Sequence, residues 1–294
     1  MKDVWVGIDV SKKKLDISIY PENDYYEVTN DLKGFKALEQ VLKTSNPRLV
    51  LFESTAGYEL PCAYFLVEKS FPVSIINPSR IKSYAKAKNL RCKTDKIDSW
   101  LIAEFACQIK PNEVNLLSLE ARELRELVLR RNQLLEQVTA EENRTETIIS
   151  KLVLKEIKSH VKQLENKLSK VERLIKEKIE SKPEWQEKSK ILQQVSGIGE
   201  VTASMLVAEL PELGTIPGNQ IASLIGVAPM NRDSGKKSGK RFIQGGRANT
   251  RKALYMATLV ATRFNPKIKV FYDRLIGKGK PAKVALTACM RKFI

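Results

Sequence analysis

The sequence is poor in the residues that build zinc and disulfide sites. It contains one histidine, His160, and four cysteines, Cys62, Cys92, Cys107 and Cys289, none of them in a C-x-x-C pair. A zinc site needs clustered nitrogen or sulfur ligands and a disulfide framework needs paired thiols, so the spacing supports neither. Any catalysis must also proceed without a histidine base.

Long apolar runs are lacking as well. No stretch approaches the roughly 18 to 20 uninterrupted apolar residues of a membrane helix, and the start, MKDVWVGIDVSKKK, lacks the zones of a signal peptide. We therefore expect an intracellular protein without membrane contact. The chain ends inside an apolar helical pattern, VALTACMRKFI, which fits either a natural terminus or a truncation within the last helix.

Positive charge is abundant and unevenly placed. The formal net charge is +17, and residues 191–294 hold 17 Lys and Arg against 5 Asp and Glu, a net +12. Such a bias favours a polyanionic partner, because neutralised phosphates release their condensed counterions. A solvated surface or a ribosome-like basic protein is the alternative. A second basic cluster comprises Arg80, Lys82, Lys86, Lys88, Arg91, Lys93 and Lys96.

Residues 1–110 have the pattern of an α/β domain. Three short β-rich runs (VWVGID, LDISIY and YYEVT) predict an antiparallel meander, and LVLFEST and FPVSIINPS predict two further strands between helical segments. The order β-β-β-α-β-α-β-α is that of an RNase H-like fold, in which helices cover both faces of a mixed sheet.

The rest of the chain is predicted to be mainly helical. Residues 111–190 include a glycine-free stretch with apolar residues at alternating three and four spacing, which predicts a coiled-coil segment that is either an inert spacer or a dimerisation element. Residues 191–294 form the third predicted domain. There LQQVSGIGEVTASMLVAEL has the form of a helix-hairpin-helix, whose Gly197 and Gly199 would let backbone N–H groups approach a phosphate, unless they only cap a helix.

Four acidic residues are placed to form a metal site. Asp9 and Glu53 end two predicted strands, and Asp95 and Asp98 share one face of a predicted helix. Where the two strands are neighbours, the carboxylates repel each other unless a divalent cation compensates, and Mg²⁺ prefers oxygen ligands. Each residue also has an ordinary explanation, as a turn cap, a helix N-terminal charge or an ion-pair partner. Their order and the basic stretch nearby favour the metal site.

The same motifs carry a family resemblance. GIDVSK, FESTAGYE and KTDKIDSWLIAEF resemble the DEDD-type, RuvC-like transposases of the "one-hundred-and-ten" group of bacterial insertion sequences, relatives of the Piv and MooV DNA invertases. The resemblance covers essentially the whole chain, and it implies that Asp9, Glu53, Asp95 and Asp98 hold one or two Mg²⁺ ions. It also implies a dimer or tetramer on DNA in the nucleoid-associated cytoplasm, guided by a structured bridge RNA that pairs with the element junction and the target.

A second motif of that family lies in a glycine-rich basic stretch, GVAPMNRDSGKKSGKRFIQGGRANTRKAL. By composition Ser234 is an ordinary loop serine, but the resemblance implies that it is the nucleophile, with Ser238 as the fallback. Since a hydroxyl is a weak nucleophile, we expect Ser234 to meet the acidic metal site of another protomer and to form a covalent link to DNA. The predicted phosphate-binding residues here are Arg232, Lys236, Lys237, Lys240, Arg241, Arg247, Arg251 and Lys252.

Three other functions compete with the recombinase. A magnesium-dependent, RuvC-like nuclease for branched DNA would use the same carboxylates without a covalent intermediate. A binding scaffold would retain the basic surface around an inactive acidic site. An actin-like ATPase shares the opening GID motif, but the further glycine-rich phosphate loops that it needs are not evident.

Overall fold

The computed structural model describes residues 3–90, 94–114, 116–231, 233, 239 and 241–294. They divide into two compact units, Met1–Leu116 and Leu117–Ile294. The division of the chain into three domains near residues 110 and 190 stays a prediction.

The first unit is built on a mixed five-stranded sheet. Its strands are β1 (Trp5–Val10), β2 (Lys14–Tyr20), β3 (Asp24–Thr29), β4 (Leu49–Glu53) and β5 (Val73–Ile76). They lie in the order β3-β2-β1-β4-β5. Strand β2 is antiparallel to both β1 and β3, whereas β4 is parallel to both β1 and β5. The predicted α/β unit and its initial meander are confirmed.

Helices cover both faces of this sheet. They are α1 (Leu32–Ser45), α2 (Leu60–Glu68), α3 (Pro78–Ala87) and α4 (Asp95–Ile109). Alternation along β1 separates two cores: Val6 and Ile8 pack with α1 and α2, whereas Trp5 packs with α3 and α4 on the other face. The second face is the one that carries the acidic residues.

The second unit is mainly helical, as predicted. Its helices are α5 (Leu119–Thr145), α6 (Lys151–Glu180), α7 (Pro183–Gln193), α8 (Glu200–Glu209), α9 (Gly218–Ile225), α10 (Ala248–Phe264), α11 (Pro266–Gly277) and α12 (Ala282–Phe293). The long helices α5 and α6 pack together through Leu134, Val138 and Leu164, and α8 packs against both of them. Throughout the described part of the chain, every helix is too short or too polar to cross a membrane.

Candidate active site

Four acidic residues form a row across the sheet. Asp9 on β1 is in register with Asp16 on β2, and Asp16 is in register with Glu27 on β3. On the other side, Ile8 and Phe52 are parallel partners, so the residues that follow them, Asp9 and Glu53, face the same side of the sheet. The sheet thus brings together the predicted residues Asp9 and Glu53 and adds two acidic residues that were not predicted, Asp16 and Glu27.

Helix α4 crosses the same face and adds Asp98 to the row. An added Cβ on Gly7 would lie 2.2 Å from the Ala103 nitrogen and 2.4 Å from the Ser99 oxygen, so only glycine allows this approach. The buried hydroxyls of Ser18 and Ser99 are 2.8 Å apart and share a hydrogen bond. These contacts fix the first turn of α4, which carries Asp98, over the acidic strand ends.

The pKa of Asp9 reflects the carboxylates that lie near it. Burial, followed by repulsion from the carboxylates of Glu53 and Asp98, raises the pKa of Asp9 from 3.8 to about 6. Asp16 adds a smaller repulsion, and the hydrogen bond that Asp9 accepts from the Val10 N–H at 3.0 Å opposes the rise. At neutral pH the site therefore holds closely spaced negative charge that a cation would stabilise.

Asp95 has a different neighbour in this structure. Its carboxylate accepts a hydrogen bond from the Lys14 ammonium at 2.7 Å, and Lys14 also lies 3.3 Å from both Asp16 and Glu27. The bond to Asp95 is the main cause of the raised pKa of Lys14. The buried Asp16 also accepts a 2.5 Å hydrogen bond from the Tyr25 hydroxyl, which raises the pKa of Tyr25 to about 12.

The metal-binding role of these residues stays a prediction. Within the described residues, no three Asp, Glu, His or Cys side chains are close enough together to hold a metal ion. Asp9, Glu53 and Asp98 interact through their charges, whereas Asp95 is bound to Lys14. Carboxylate oxygens are nevertheless the ligands that Mg²⁺ prefers, so the donor set fits that ion.

The loop after Glu53 is ordered by a buried carboxylate that sequence reasoning also missed. Glu59, which is 3% exposed, accepts hydrogen bonds from the Ser54 hydroxyl at 3.0 Å, the Thr55 N–H at 2.9 Å and the Gly57 N–H at 3.0 Å. Gly57 has a φ of +93°, a conformation that favours glycine. Because Glu59 satisfies the donors of this turn, it holds the backbone next to Glu53 in place.

The second basic cluster begins on helix α3, and its last member, Lys96, lies in the first turn of α4. Arg80 stacks over the Phe105 ring at 5.5 Å, and Lys88 pairs with Glu104, whereas Lys82 and Lys86 are exposed. Arg91 and Lys93 lie outside the described residues. Contact between this cluster and nucleic acid stays a prediction.

Described residues on either side of Ser234 in the sequence pair with each other. Met230 and Phe242 form an isolated antiparallel bridge, with the Met230 N–H donating to the Phe242 carbonyl at 2.8 Å. Asp233 accepts hydrogen bonds from the Gly239 N–H at 3.0 Å and from Arg241 at 2.8 Å. Several predicted residues lie outside the described part of the chain, namely Arg232, Ser234, Lys236, Lys237, Ser238 and Lys240.

Two of the predicted phosphate-binding arginines are bound within the protein. Arg247 makes a bidentate ion pair with Glu212, at 2.6 and 2.7 Å, and donates to the Glu209 carbonyl at 2.7 Å. That pair lowers the pKa of Glu212 and raises the pKa of Arg247. Arg251 donates to the carbonyls of Ile225 and Gly245 at 2.9 and 2.5 Å. Both side chains thus have a role in the fold.

The remaining predicted contacts differ in their surroundings. Lys252 is exposed and lies 3.1 Å from the exposed Glu136. Gly197 has a φ of +109°, and an added Cβ would lie 2.7 Å from the Ala257 oxygen on α10, so this glycine is needed for packing. An added Cβ on Gly199, directly before α8, would have nothing within 4 Å, so backbone there is open to a ligand.

Comparisons with known proteins agree with the resemblance predicted from the motifs. A family model described as "Transposase", of the DEDD type, matches residues 6–157, and the model "Transposase IS116/IS110/IS902 family" matches residues 189–273. The chain is 28% identical to the pilin gene-inverting proteins of Moraxella bovis and Moraxella lacunata, over 100% of its own length and 94% of theirs.

A shorter match links the chain to an insertion element. It is 27% identical to the insertion element IS110 uncharacterized 43.6 kDa protein of Streptomyces coelicolor, over 36% of this chain and 27% of that protein. The first family model alone spans more than half of the chain. The chain therefore belongs to the IS110 family of transposases, and it is an enzyme that recombines DNA.

Proposed function

We propose that this transposase cuts and rejoins DNA with a magnesium site made by Asp9, Glu53, Asp95 and Asp98 and with Ser234 as the nucleophile. The row of carboxylates on β1 and β4 beneath the first turn of α4 is the observation that carries the proposal. The names of the full-length relatives, which are gene-inverting proteins, support a reaction in which strands are rejoined as well as cut.

In the proposed site, one or two Mg²⁺ ions would activate the attacking oxygen and stabilise the leaving oxygen. Asp9, Glu53 and Asp98 hold their carboxylates on one face of the sheet, and Asp95 joins them once its carboxylate leaves Lys14. The close contact at Gly7, which leaves no space for a side chain, holds α4 against the strand that carries Asp9.

The proposed reaction passes through a protein–DNA link. The Ser234 oxygen forms a bond to a DNA phosphorus as the bond from that phosphorus to a DNA oxygen breaks, and the serine loses a proton while the leaving oxygen gains one. The phosphoserine link conserves the energy of the broken bond, so a DNA hydroxyl can reverse the step. We infer that Ser234 reaches the carboxylates of another protomer, which requires a dimer or tetramer.

A denaturing gel of the reaction with element-end DNA separates this mechanism from simple hydrolysis. Wild-type protein with Mg²⁺ should give a covalent adduct, Ser234→Ala should give neither adduct nor cleavage, and Ser238→Ala should keep both. Cleavage by Ser234→Ala at the wild-type rate would instead support the branched-DNA nuclease. Adduct formation that survives in Ser234→Ala but not in Ser238→Ala would transfer the role to Ser238.

The metal site has a test that does not depend on activity. Mg²⁺ that binds the folded protein should raise its unfolding temperature, with a stabilisation of about 1.4 kcal/mol at ten times the dissociation constant. Asp98→Asn should remove this stabilisation, and Asp24→Asn, an exposed carboxylate on β3, should keep it. Equal Mg²⁺ stabilisation of the wild type and Asp98→Asn would contradict the proposed site.

The proposal also covers the fold of the two units and a guide RNA. The strand order β3-β2-β1-β4-β5 supports an RNase H-like, RuvC-like first unit. The turn Gly197–Gly199 between α7 and α8 supports a helix-hairpin-helix, with Gly199 as the part open to phosphate. We also propose that a structured guide RNA directs the protein to its target. RNA that co-purifies with the protein can be removed with ribonuclease. The treated protein should still cleave DNA but should no longer select its target.

A further inference from the structure

A large groove in the second unit is lined in part by Arg241 and Phe242, which follow the Ser234 stretch in the sequence. It encloses about 1220 Å³ between α10, α12 and the segment that follows Arg241. Pockets for small molecules measure roughly 300–1,000 Å³, so this groove has room for a segment of a polymer. None of the described residues that line it is acidic.

The floor of the groove is apolar and partly aromatic. Phe242, Tyr255 and Phe271 line it together with Met256 and Val284, which are 58% and 53% exposed. Large apolar side chains left exposed together mark a surface that binds something. Aromatic and thioether groups offer flat, polarisable surface on which nucleobases stack without regard to their sequence.

The rim of the groove is cationic. Arg241, Lys252, Lys283 and Arg291 lie along it. Lys283 and Arg291 are exposed, and the structure gives them no acidic partner among the residues that it describes. Lys252 pairs only with Glu136, and an ion pair between two such exposed side chains contributes little and yields readily to a phosphate.

We propose that this groove binds an unpaired stretch of the DNA strand that is cleaved, with its bases on the apolar floor and its phosphates on the basic rim. The bases of a duplex are stacked on one another, so a duplex could bind the basic rim through its phosphates but could not stack its bases on the apolar floor. An unpaired strand can make both contacts. Phe242 supplies the reason to choose the cleaved strand, because it lines the floor and follows the Ser234 stretch in the chain, where its backbone pairs with Met230. The position of the strand rests on the proposed role of Ser234, whereas the binding itself does not.

Fluorescence anisotropy with a labelled twelve-nucleotide oligothymidine tests the floor of the groove. Met256→Glu or Val284→Glu adds a carboxylate at an exposed site and should weaken binding about tenfold, as the loss of one stacked base would. Val260→Glu is the matched control, since Val260 lies one turn further along α10, is 44% exposed and does not line the groove. It should change the affinity less than twofold.

Two further oligonucleotides identify the ligand. The loss caused by Met256→Glu should be smaller for a thymidine–adenosine duplex and for oligouridine than for oligothymidine. A larger loss for oligouridine would assign the groove to RNA, and an equal loss for the duplex would assign it to paired DNA. Either result overturns the proposal, as does an unchanged oligothymidine affinity in both Met256→Glu and Val284→Glu.

Salt dependence tests the rim. The slope of log affinity against log salt changes by about 0.7 for each phosphate contact with a single strand. Replacing both Lys283 and Arg291 by alanine should therefore reduce the slope by about 1.4, and Lys267→Ala, an exposed lysine outside the groove, should leave it unchanged. An unchanged slope in the double variant would contradict the proposed phosphate contacts.

Photocrosslinking locates the base directly and separates this inference from the serine mechanism. An oligonucleotide with 5-iododeoxyuridine should crosslink to Phe242 or Tyr255, and Ser234→Ala should crosslink equally well although it no longer cleaves. Adducts found only outside the groove would overturn the inference and leave Ser234 as nucleophile. If adducts form in the groove and Ser234→Ala still cleaves DNA, the serine mechanism is wrong and the proposed binding groove is retained.

Discussion

Replacing Asp9 by asparagine should stabilise the metal-free protein while it abolishes catalysis. In the folded protein the pKa of Asp9 is about 6 against 3.8 without burial and repulsion. Each pKa unit corresponds to about 1.4 kcal/mol, so the ionised carboxylate costs at most about 3 kcal/mol. Solvent screens part of this cost, because the side chain is only partly buried, and about 1 to 2 kcal/mol is the expected gain.

The pH dependence has a definite sign. Since the pKa of Asp9 is raised on folding, the folded state binds more protons between about pH 4 and pH 6, and wild-type stability falls as pH rises through that range. Asp9→Asn carries no such charge, so its advantage should be full above pH 6 and should vanish below pH 4. The asparagine oxygen can still accept the hydrogen bond from the Val10 N–H.

Urea denaturation in EDTA from pH 4 to pH 8 measures this difference. Tryptophan fluorescence reports on the first unit through Trp5 and Trp100 when Trp185, which lies in the second unit, is replaced by phenylalanine in every variant compared. Asp24→Asn, at an exposed position, controls for the loss of one negative charge. If Asp9→Asn were no more stable than wild type at pH 7.5, or if its advantage did not shrink at low pH, the proposed crowding of charge around Asp9 would be refuted.

Three further substitutions test individual contacts. Gly7→Ala should cost about 1–3 kcal/mol and slow cleavage, because a methyl group forces α4 away from the sheet, whereas Gly199→Ala should be nearly neutral in a melting experiment. Glu59→Ala should cost about 2–4 kcal/mol by leaving two N–H groups unpaired, and Glu59→Gln, which keeps an acceptor, should restore most of it. Arg247→Met should lower the unfolding temperature and leave the salt dependence of DNA binding unchanged; a reduced salt slope would show a phosphate contact instead.

The sequence pattern was enough to predict the sheet and two of its carboxylates. Short β-rich runs separated by turns define β1 to β5, and Asp9 and Glu53 end their strands, where a cleft between neighbours is expected. Asp16 was missed because the pairing of β1 with β2 depends on register. Its position between the apolar residues Leu15 and Ile17 was the available signal, since a buried acidic residue inside a strand needs a reason.

The tertiary roles of charged side chains were harder to predict. Arg247 and Arg251 stand in a basic, glycine-rich stretch, and composition cannot separate arginines that bind backbone carbonyls from those exposed to a ligand. Similarly, Lys14 lies in a run of three lysines, yet it alone lies among Asp16, Glu27 and Asp95. The family resemblance predicted which residues form the site. The ion pairs and hydrogen bonds of these charged side chains depend instead on how distant segments of the chain pack together.

Phe242 belongs both to the proposed binding groove and to the backbone pair that flanks Ser234 in the sequence, so it connects strand binding with cleavage. The backbone of this residue pairs with Met230, and the residue is also one of those that line the groove. A base that contacts this ring would also act on the residue whose backbone pairs with Met230, so we expect occupation of the groove and cleavage of DNA to be coupled.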